Sequence, residues 1–206
     1  MTITNDLTTI GAMEDTAKPL VLVVDDEKDV NKEISGVLLE SGQFDVVSAF
    51  SGEEAVDTVK KFFNEEKHID VVLLDIKMPG LWGTDAVKKI KEIDKELEVI
   101  MLTALNDSKY AWEAHKSGST GYIVKPFKRE ELLPLVKKAG DERIKRTNEI
   151  KKVRLLSQLH ALPMASPEIW RNIMDELNTK TAELNLGSYS ELPYETLKKI
   201  TEKHFK

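Results

Sequence analysis

VVLLDIKMPG, residues Val71 to Gly80, carries an acidic residue at the point where an apolar run stops. Four consecutive apolar residues, Val71 to Leu74, suit a parallel strand buried on both faces, whereas Asp75, Lys77, Pro79 and Gly80 do not continue one. The Asp75 carboxylate therefore lands at a strand's C-terminal end. In open α/β sheets ligands bind at that edge, and a carboxylate there faces solvent and substrate while its backbone stays rigid. The alternative is that Asp75 only caps the following turn.

The same design recurs on either side. Leu20 to Val24 is an apolar run that ends in Asp25, Asp26 and Glu27, and Val30, Ile34, Val37 and Leu38 then recur at helical spacing, with Gly42 placed for a left-handed C-terminal cap. Val46, Val47 and Phe50 mark a second strand. Ser51 and Glu54 form a capping box ahead of the amphipathic Ala55, Val56, Val59 and Phe63. After the Asp75 strand, Thr84 is placed to cap a helix bearing Ala86, Ile90 and Ile93, and Val99 to Leu102 is a fourth strand ending at Thr103. Asp107 begins a helix that runs to Gly118, and Tyr122, Ile123 and Val124 form a fifth strand ending in Lys125, Pro126 and Phe127. Strands alternating with helices through right-handed crossovers make a parallel sheet covered by helices on both faces.

The chain has 206 residues, a net charge of −6 and no cysteine, which excludes disulfides, thiol catalysis and cysteine zinc sites. It contains neither an apolar run long enough to span a membrane nor a secretory leader, so a cytoplasmic protein without a membrane partner is expected. Residues 1–127 hold 14 Lys/Arg against 24 Asp/Glu, and residues 128–206 hold 16 against 12, so an acidic body carries a mildly basic tail. Residues 1–17 lack helical or strand periodicity and read as a flexible leader or a remnant of recombinant expression. The four histidines, His68, His115, His160 and His204, are too dispersed for a metal site.

If the strand ends share one edge, that edge gathers Asp25, Asp26, Asp75, Thr103 and Lys125. Close carboxylates repel by about 4 kcal/mol per pair at a surface-like dielectric, so they persist where a divalent metal or an ammonium offsets them. Oxygen ligands completed by water favour Mg2+.

These residues resemble the receiver domain of two-component response regulators, through VLVVDDE at the first strand, LLDIKMPG at the third, MLTA at the fourth and YIVKPF at the fifth. The resemblance covers residues 18–140 and implies a flavodoxin-like fold, a five-stranded parallel sheet in the order 2-1-3-4-5. It implies that Asp75 is the phosphoacceptor and that Asp26 and Asp75 bind Mg2+ directly, with Asp25 acting through water and the Lys77 carbonyl completing the protein's share. The phosphoryl donor would be the phosphohistidine of a sensor histidine kinase or a phosphotransfer protein. Thr103 would donate to a phosphoryl oxygen and Lys125 would supply a second positive charge. Tyr122 takes the place of the aromatic ring that turns inward when that threonine moves, and a cis Lys125-Pro126 bond is implied as well. Lys77 and Leu105, each two residues after a site residue, offer no group to orient an attacking water, which implies slow self-dephosphorylation. An aspartyl-phosphate phosphatase would want Asp-x-Asp, and Asp75-Ile76-Lys77 lacks the second acid. Trp82 is either a kinase contact or surface packing, and Trp112 either a dimer contact or an anchor for its own helix.

Beyond the fifth strand, Glu130 and Glu131 suit a helix start, and an imperfect stripe of Val136, Ala139, Ile144, Ile150, Val153, Leu156 and Leu159 predicts a helix leaving the receiver, with Gly140 as a bend. Pro163 is expected to end it. Ser166 and Pro167 start another helix, with Ile169, Trp170, Ile173, Met174 and Leu177 on its apolar side. Gly187 breaks that helix, and Pro193 opens a last one with Leu197, Ile200 and Phe205. Residues 141–206 are thus expected to form a helical extension too small to stand alone, one that needs a partner surface: a downstream protein or a second copy in a homodimer. The basic run Arg143 to Arg154 keeps open a DNA-binding regulator as the alternative, although it lacks interleaved aromatics.

Overall fold

Val21, Leu22, Val23 and Val24 of strand β1 (Leu20–Val24) and Val71 to Leu74 of β3 (Val71–Asp75) are all fully buried, as their unbroken apolar runs require of strands covered on both faces. The structure, a computed structural model, describes residues 18–65, 67–104, 118–165, 167–184, 186 and 188–204. With β2 (Asp45–Ala49), β4 (Glu98–Ala104) and β5 (Gly121–Lys125) these strands form one five-stranded parallel sheet in the order β2-β1-β3-β4-β5. Helices α1 (Lys28–Glu40), α2 (Gly52–Asn64) and α3 (Gly83–Ile93) alternate with the strands, and α4 (Arg129–Ala165) follows β5. The segments placed around Asp107, Leu105, Trp112 and His115, like the 1–17 leader, lie outside the described residues.

Alternate side chains of each strand feed two separate cores. Leu22, Val24, Val72, Leu74, Val99 and Met101 meet α2 and α3 through Ala55, Val59, Ala86 and Ile90. Val21, Val23, Val71, Leu73, Ile100 and Leu102 meet α1 and the first turns of α4 through Ile34, Leu38, Leu132 and Val136. The period of two along each strand places helices on both faces of the sheet.

Local signals act largely as the residues suggest. The Ser51 hydroxyl accepts from the Glu54 N–H at 3.1 Å, and the Glu54 carboxylate accepts from the Phe50 N–H at 2.7 Å, so the reciprocal cap reaches one residue further back than the motif implies. Gly42 adopts φ 69° behind α1. Thr84 does not cap α3: the helix starts at Gly83, with Trp82 as its cap residue and no side-chain cap bond. Close packing decides this, because the Gly83 N–H bonds the Ile76 carbonyl at 3.0 Å and an added Cβ would sit 2.2 Å from the Asp75 carbonyl oxygen. Gly140 lies within α4, and its missing Cβ admits Pro19, whose ring a Cβ would meet at 2.6 Å. Arg143 is buried against the Asp94 carboxylate.

The chain divides into two compact units, Lys18–Lys145 and a helical unit that begins at Arg146, and α4 contributes residues to both. The helical unit contains α5 (Pro167–Glu183) and α6 (Tyr194–His204). Pro163 does not end α4, which continues to Ala165; so near a helix end, proline removes one bond of a turn that is already losing its partners. Pro167 opens α5 as expected, while Ser166, Gly187 and Phe205 fall outside the described residues. The extension builds its own core: Leu159, Ile173, Leu177, Leu192 and Leu197 are fully buried against one another, so these faces need no partner to cover them. The stripe along α4 is interrupted, with Ile150 at 52% and Val153 at 62% exposure. No helix among the described residues is long and apolar enough to cross a membrane.

Two glycines in helices should respond oppositely to alanine. Gly83→Ala places a methyl against backbone and is expected to cost about 1–3 kcal/mol. Gly36→Ala, in α1 with nothing within 4 Å of the new Cβ, is expected to gain roughly 0.5–1 kcal/mol. Urea unfolding midpoints of the two variants, moving in opposite directions from the parent, check the pair.

Candidate functional site

The sheet register brings the acids together. Val24 pairs with Leu74, so Asp25 and Asp75 are the next residues on neighbouring strands, and Ala104 pairs with Lys125 one strand further along. Lys125, at the end of β5, reaches back across the sheet edge. Its Nζ donates to Asp25 Oδ2 at 2.6 Å and to Asp75 Oδ1 at 2.5 Å.

Both carboxylates are held by their second oxygens as well. Asp75 Oδ2 accepts the Lys77 N–H at 2.7 Å, and Asp25 Oδ1 accepts the Glu27 N–H at 3.0 Å. The Asp25 side chain is 1% exposed, that of Asp75 13% and that of Lys125 24%, so the bridge is largely withdrawn from water. Such burial costs several kcal/mol per ion, and it is tolerated here because one ammonium serves two carboxylates with short, direct bonds.

Burial pushes the Asp75 carboxyl above its usual range. The hydrogen bond from Lys125 opposes this, while the charge of Asp25 adds to it. Burial alone would pull the Lys125 ammonium down, but its hydrogen bonds to Asp25 and Asp75 outweigh that and hold it above its ordinary value. The two shifts do not mirror each other, for a stoichiometric reason: the lysine gains two anionic partners, whereas each aspartate has only a share of one cation.

The remaining expected residues take distinct places. Asp26 is half-buried beside Asp25 and has no ion pair among the described residues. No group of three or more His, Cys, Asp or Glu among the described residues is gathered as a metal site, and the charge that offsets Asp25 and Asp75 is the ammonium of Lys125. Thr103, at 4% exposure, lies one residue past the strand partner of Asp75, and its hydroxyl donates to the Ala104 carbonyl at 3.4 Å. Tyr122 is 55% exposed, and the Lys125-Pro126 peptide is cis. Trp82 is 43% exposed.

Sequence reasoning missed two residues that position the site. Asn31 is 1% exposed and its Nδ2 donates to the carbonyls of Val23 and Ala49, 3.0 Å each, clamping the ends of β1 and β2 just before Asp25. The available signal was its spacing to Ile34 and Leu38, which puts a polar amide on a buried helix face. Glu53 Oε1 accepts the Leu81 N–H at 2.9 Å and so steadies the loop that carries Lys77. Beside Lys125 lies a groove of about 520 Å3, bordered by Val30, Ile34 and Val37 of α1 and by Phe127 and Leu132.

A family model described as the response regulator receiver domain matches residues 21–137. The chain is 36% identical over 129 residues to the chemotaxis protein CheY of Treponema pallidum, covering 63% of this chain and 88% of that one. It is 32% identical over 118 residues to the sporulation initiation phosphotransferase F of Bacillus subtilis, covering 57% and 90%. Among solved structures, the receiver domain of the Francisella response regulator 1452 superposes with a TM-score of 0.52 at 35% identity, covering 63% of this chain and 99% of that one.

A carboxyl with a raised pKa in the folded state holds its proton more tightly there than in the unfolded chain. Its contribution therefore favours folding at acid pH and is lost as the pH rises through the folded pKa. Asp75→Asn, which carries no charge at any pH, is expected to raise the urea midpoint at neutral pH without divalent cations. The advantage should shrink as the pH falls below the ordinary carboxylate range, and a variant less stable than the parent at neutral pH would contradict the assignment.

Proposed function

The chain belongs to the response regulator receiver domain family, and from that premise we propose that Asp75 accepts a phosphoryl group from a phosphohistidine in a Mg2+-dependent reaction. Residues 21–137 are the receiver domain of a two-component response regulator, a signalling domain. The donor is a sensor histidine kinase or a phosphotransfer protein, a reading in keeping with the phosphotransferase name of one relative. The observation that carries the proposal is the Lys125 bridge, which joins the nucleophile Asp75 to Asp25 at the C-terminal sheet edge.

In the transfer, a carboxylate oxygen of Asp75 forms a P–O bond as the P–N bond to the donor imidazole breaks. The Lys77 N–H fixes the direction of the carboxylate, and the Lys125 ammonium is within reach of charge that develops on the phosphoryl oxygens. The donor set suits Mg2+: the Asp25, Asp26 and Asp75 carboxylates and the Lys77 carbonyl are all hard oxygens. Asp26 is unpaired among the described residues, and each bridged carboxylate retains accepting capacity. Bound there, the ion would neutralise charge between the acceptor and the incoming group. The apolar groove beside Lys125 offers the donor protein a seat next to the chemistry.

Phosphorylation would then draw Thr103 toward the phosphoryl group and let Tyr122 turn from its exposed position, biasing one packing of the β4 and β5 ends. The receiver, residues 18–140, passes this to the helical extension, residues 141–206, through α4, which belongs to both units. The extension signals by protein contact or self-association, a reading supported by the exposed Ile150 and Val153. The DNA-binding alternative is weaker, because Arg143 of the basic run is buried on Asp94 and unavailable to phosphates.

With acetyl phosphate and Mg2+, intact mass measurement is expected to detect one added phosphoryl group, lost with EDTA and absent in Asp75→Ala; a variant that still labels would refute the acceptor. Light scattering on the full chain and on a truncation ending at Lys145, each with and without beryllofluoride, tests self-association. A full chain that stays monomeric at high concentration in both states rules out the homodimer and leaves a downstream protein as the partner.

A further inference from the structure

The helical unit holds a second charged concavity, independent of the phosphoacceptor. A groove of about 400 Å3 lies between the later turns of α4 and helix α6, and Lys151, Arg154 and Lys198 line it together with Gln158, Tyr194 and Glu202. Lys151 and Arg154 stand three residues apart and so share one face of α4. Neither makes an ion pair among the described residues. Among the described residues, the ion pair of Lys198 is a loose contact with the exposed Glu202, at 4.0 Å. Three cations thus meet one carboxylate across the groove, an arrangement of like charges that an anion would relieve.

We propose that this groove binds a small, multiply charged phosphate-bearing anion. Its volume is in the range of small-ligand sites rather than of an extended macromolecular surface. The Arg154 guanidinium offers a planar fork that matches phosphate oxygens, while Lys151 and Lys198 act as point charges on either wall. The Gln158 amide and the Tyr194 hydroxyl add neutral donors. The Lys151 ammonium lies 5.9 Å from the centre of the Tyr194 ring and covers one of its faces, which favours a ligand held by charge over one held by a stacked base.

Pyrophosphate titrated into the full-length chain, without Mg2+ and in the Asp75→Asn background, separates this groove from the receiver site. Calorimetry should give saturable binding at one site per chain, and amide NMR shifts should concentrate at residues 151–158 and 194–202. Lys151→Gln combined with Arg154→Gln should weaken binding by about tenfold or more, as loss of charge-assisted hydrogen bonds predicts. Retained far-UV circular dichroism confirms that the variant folds, and Arg154→Gln alone, at an exposed position, serves if the double variant does not. Absence of saturation, shifts scattered over all basic surfaces, or affinity unchanged in the variants would overturn the proposal. So would an acidic decapeptide that binds these residues more tightly than pyrophosphate, since the groove would then be a peptide site.

Discussion

A single ammonium holds together the C-terminal edge of the sheet. Lys125 crosses from the end of β5 to bond Asp25, just past β1, and Asp75, the last residue of β3, so it ties β5 to strands it does not neighbour at the edge where the sheet would otherwise carry two unscreened carboxylates. Remove the cation and the buried pair becomes a repulsion; remove either acid and the lysine keeps one partner, so the three-way link shrinks to a single ion pair. The same bridge gathers three ionised groups at one point of the sheet edge. Asp75 is pushed above its usual range, and a group that brings its own charge competes for Asp25, Asp75 and Lys125 at once.

The fold exists to align these ends. The register that sets Val24 beside Leu74, and Ala104 beside Lys125, is maintained by two apolar layers that admit no slip, because a shift of one residue would turn every buried valine and leucine to the wrong face. Asn31 and Glu53 add hydrogen bonds where the strands give way to loops, so the backbone around the acids is held from behind by α1 and from beside by α2. The helical unit is organised by a separate core, and its basic groove draws on residues that the receiver does not use.

Most of the receiver was legible because each strand is a short apolar run that stops at a chemically distinctive residue, and because Ser51 and Gly42 act through local rules. Misreadings arose where tertiary contact outweighed local preference. Thr84 looked like a cap, but Gly83 starts α3 because only a residue without a side chain fits against the Asp75 carbonyl. Pro163 looked like a stop, but near the end of α4 it disturbs too few bonds to act as one. The helical extension looked too small to bury itself, yet Leu159, Ile173, Leu177, Leu192 and Leu197 close on one another, a convergence that spacing along separate helices does not reveal.

By itself the sequence determined the alternation of strands and helices, the buried character of β1, β3 and β4, and the appearance of Asp25, Asp75, Thr103 and Lys125 at strand ends, since these follow from periodicity and from where apolar runs stop. Only the tertiary structure decided which charges meet. It placed one lysine between two of the acids and left Asp26 outside the bridge, turned Tyr122 outward, withdrew Arg143 from the basic run by pairing it with Asp94, and left Lys151 and Arg154 facing Lys198 across a groove. The reason is range: hydrophobic period and turn chemistry act over a few neighbouring residues, whereas an ion pair forms between side chains a hundred positions apart once the packed sheet has brought their strands to the same edge.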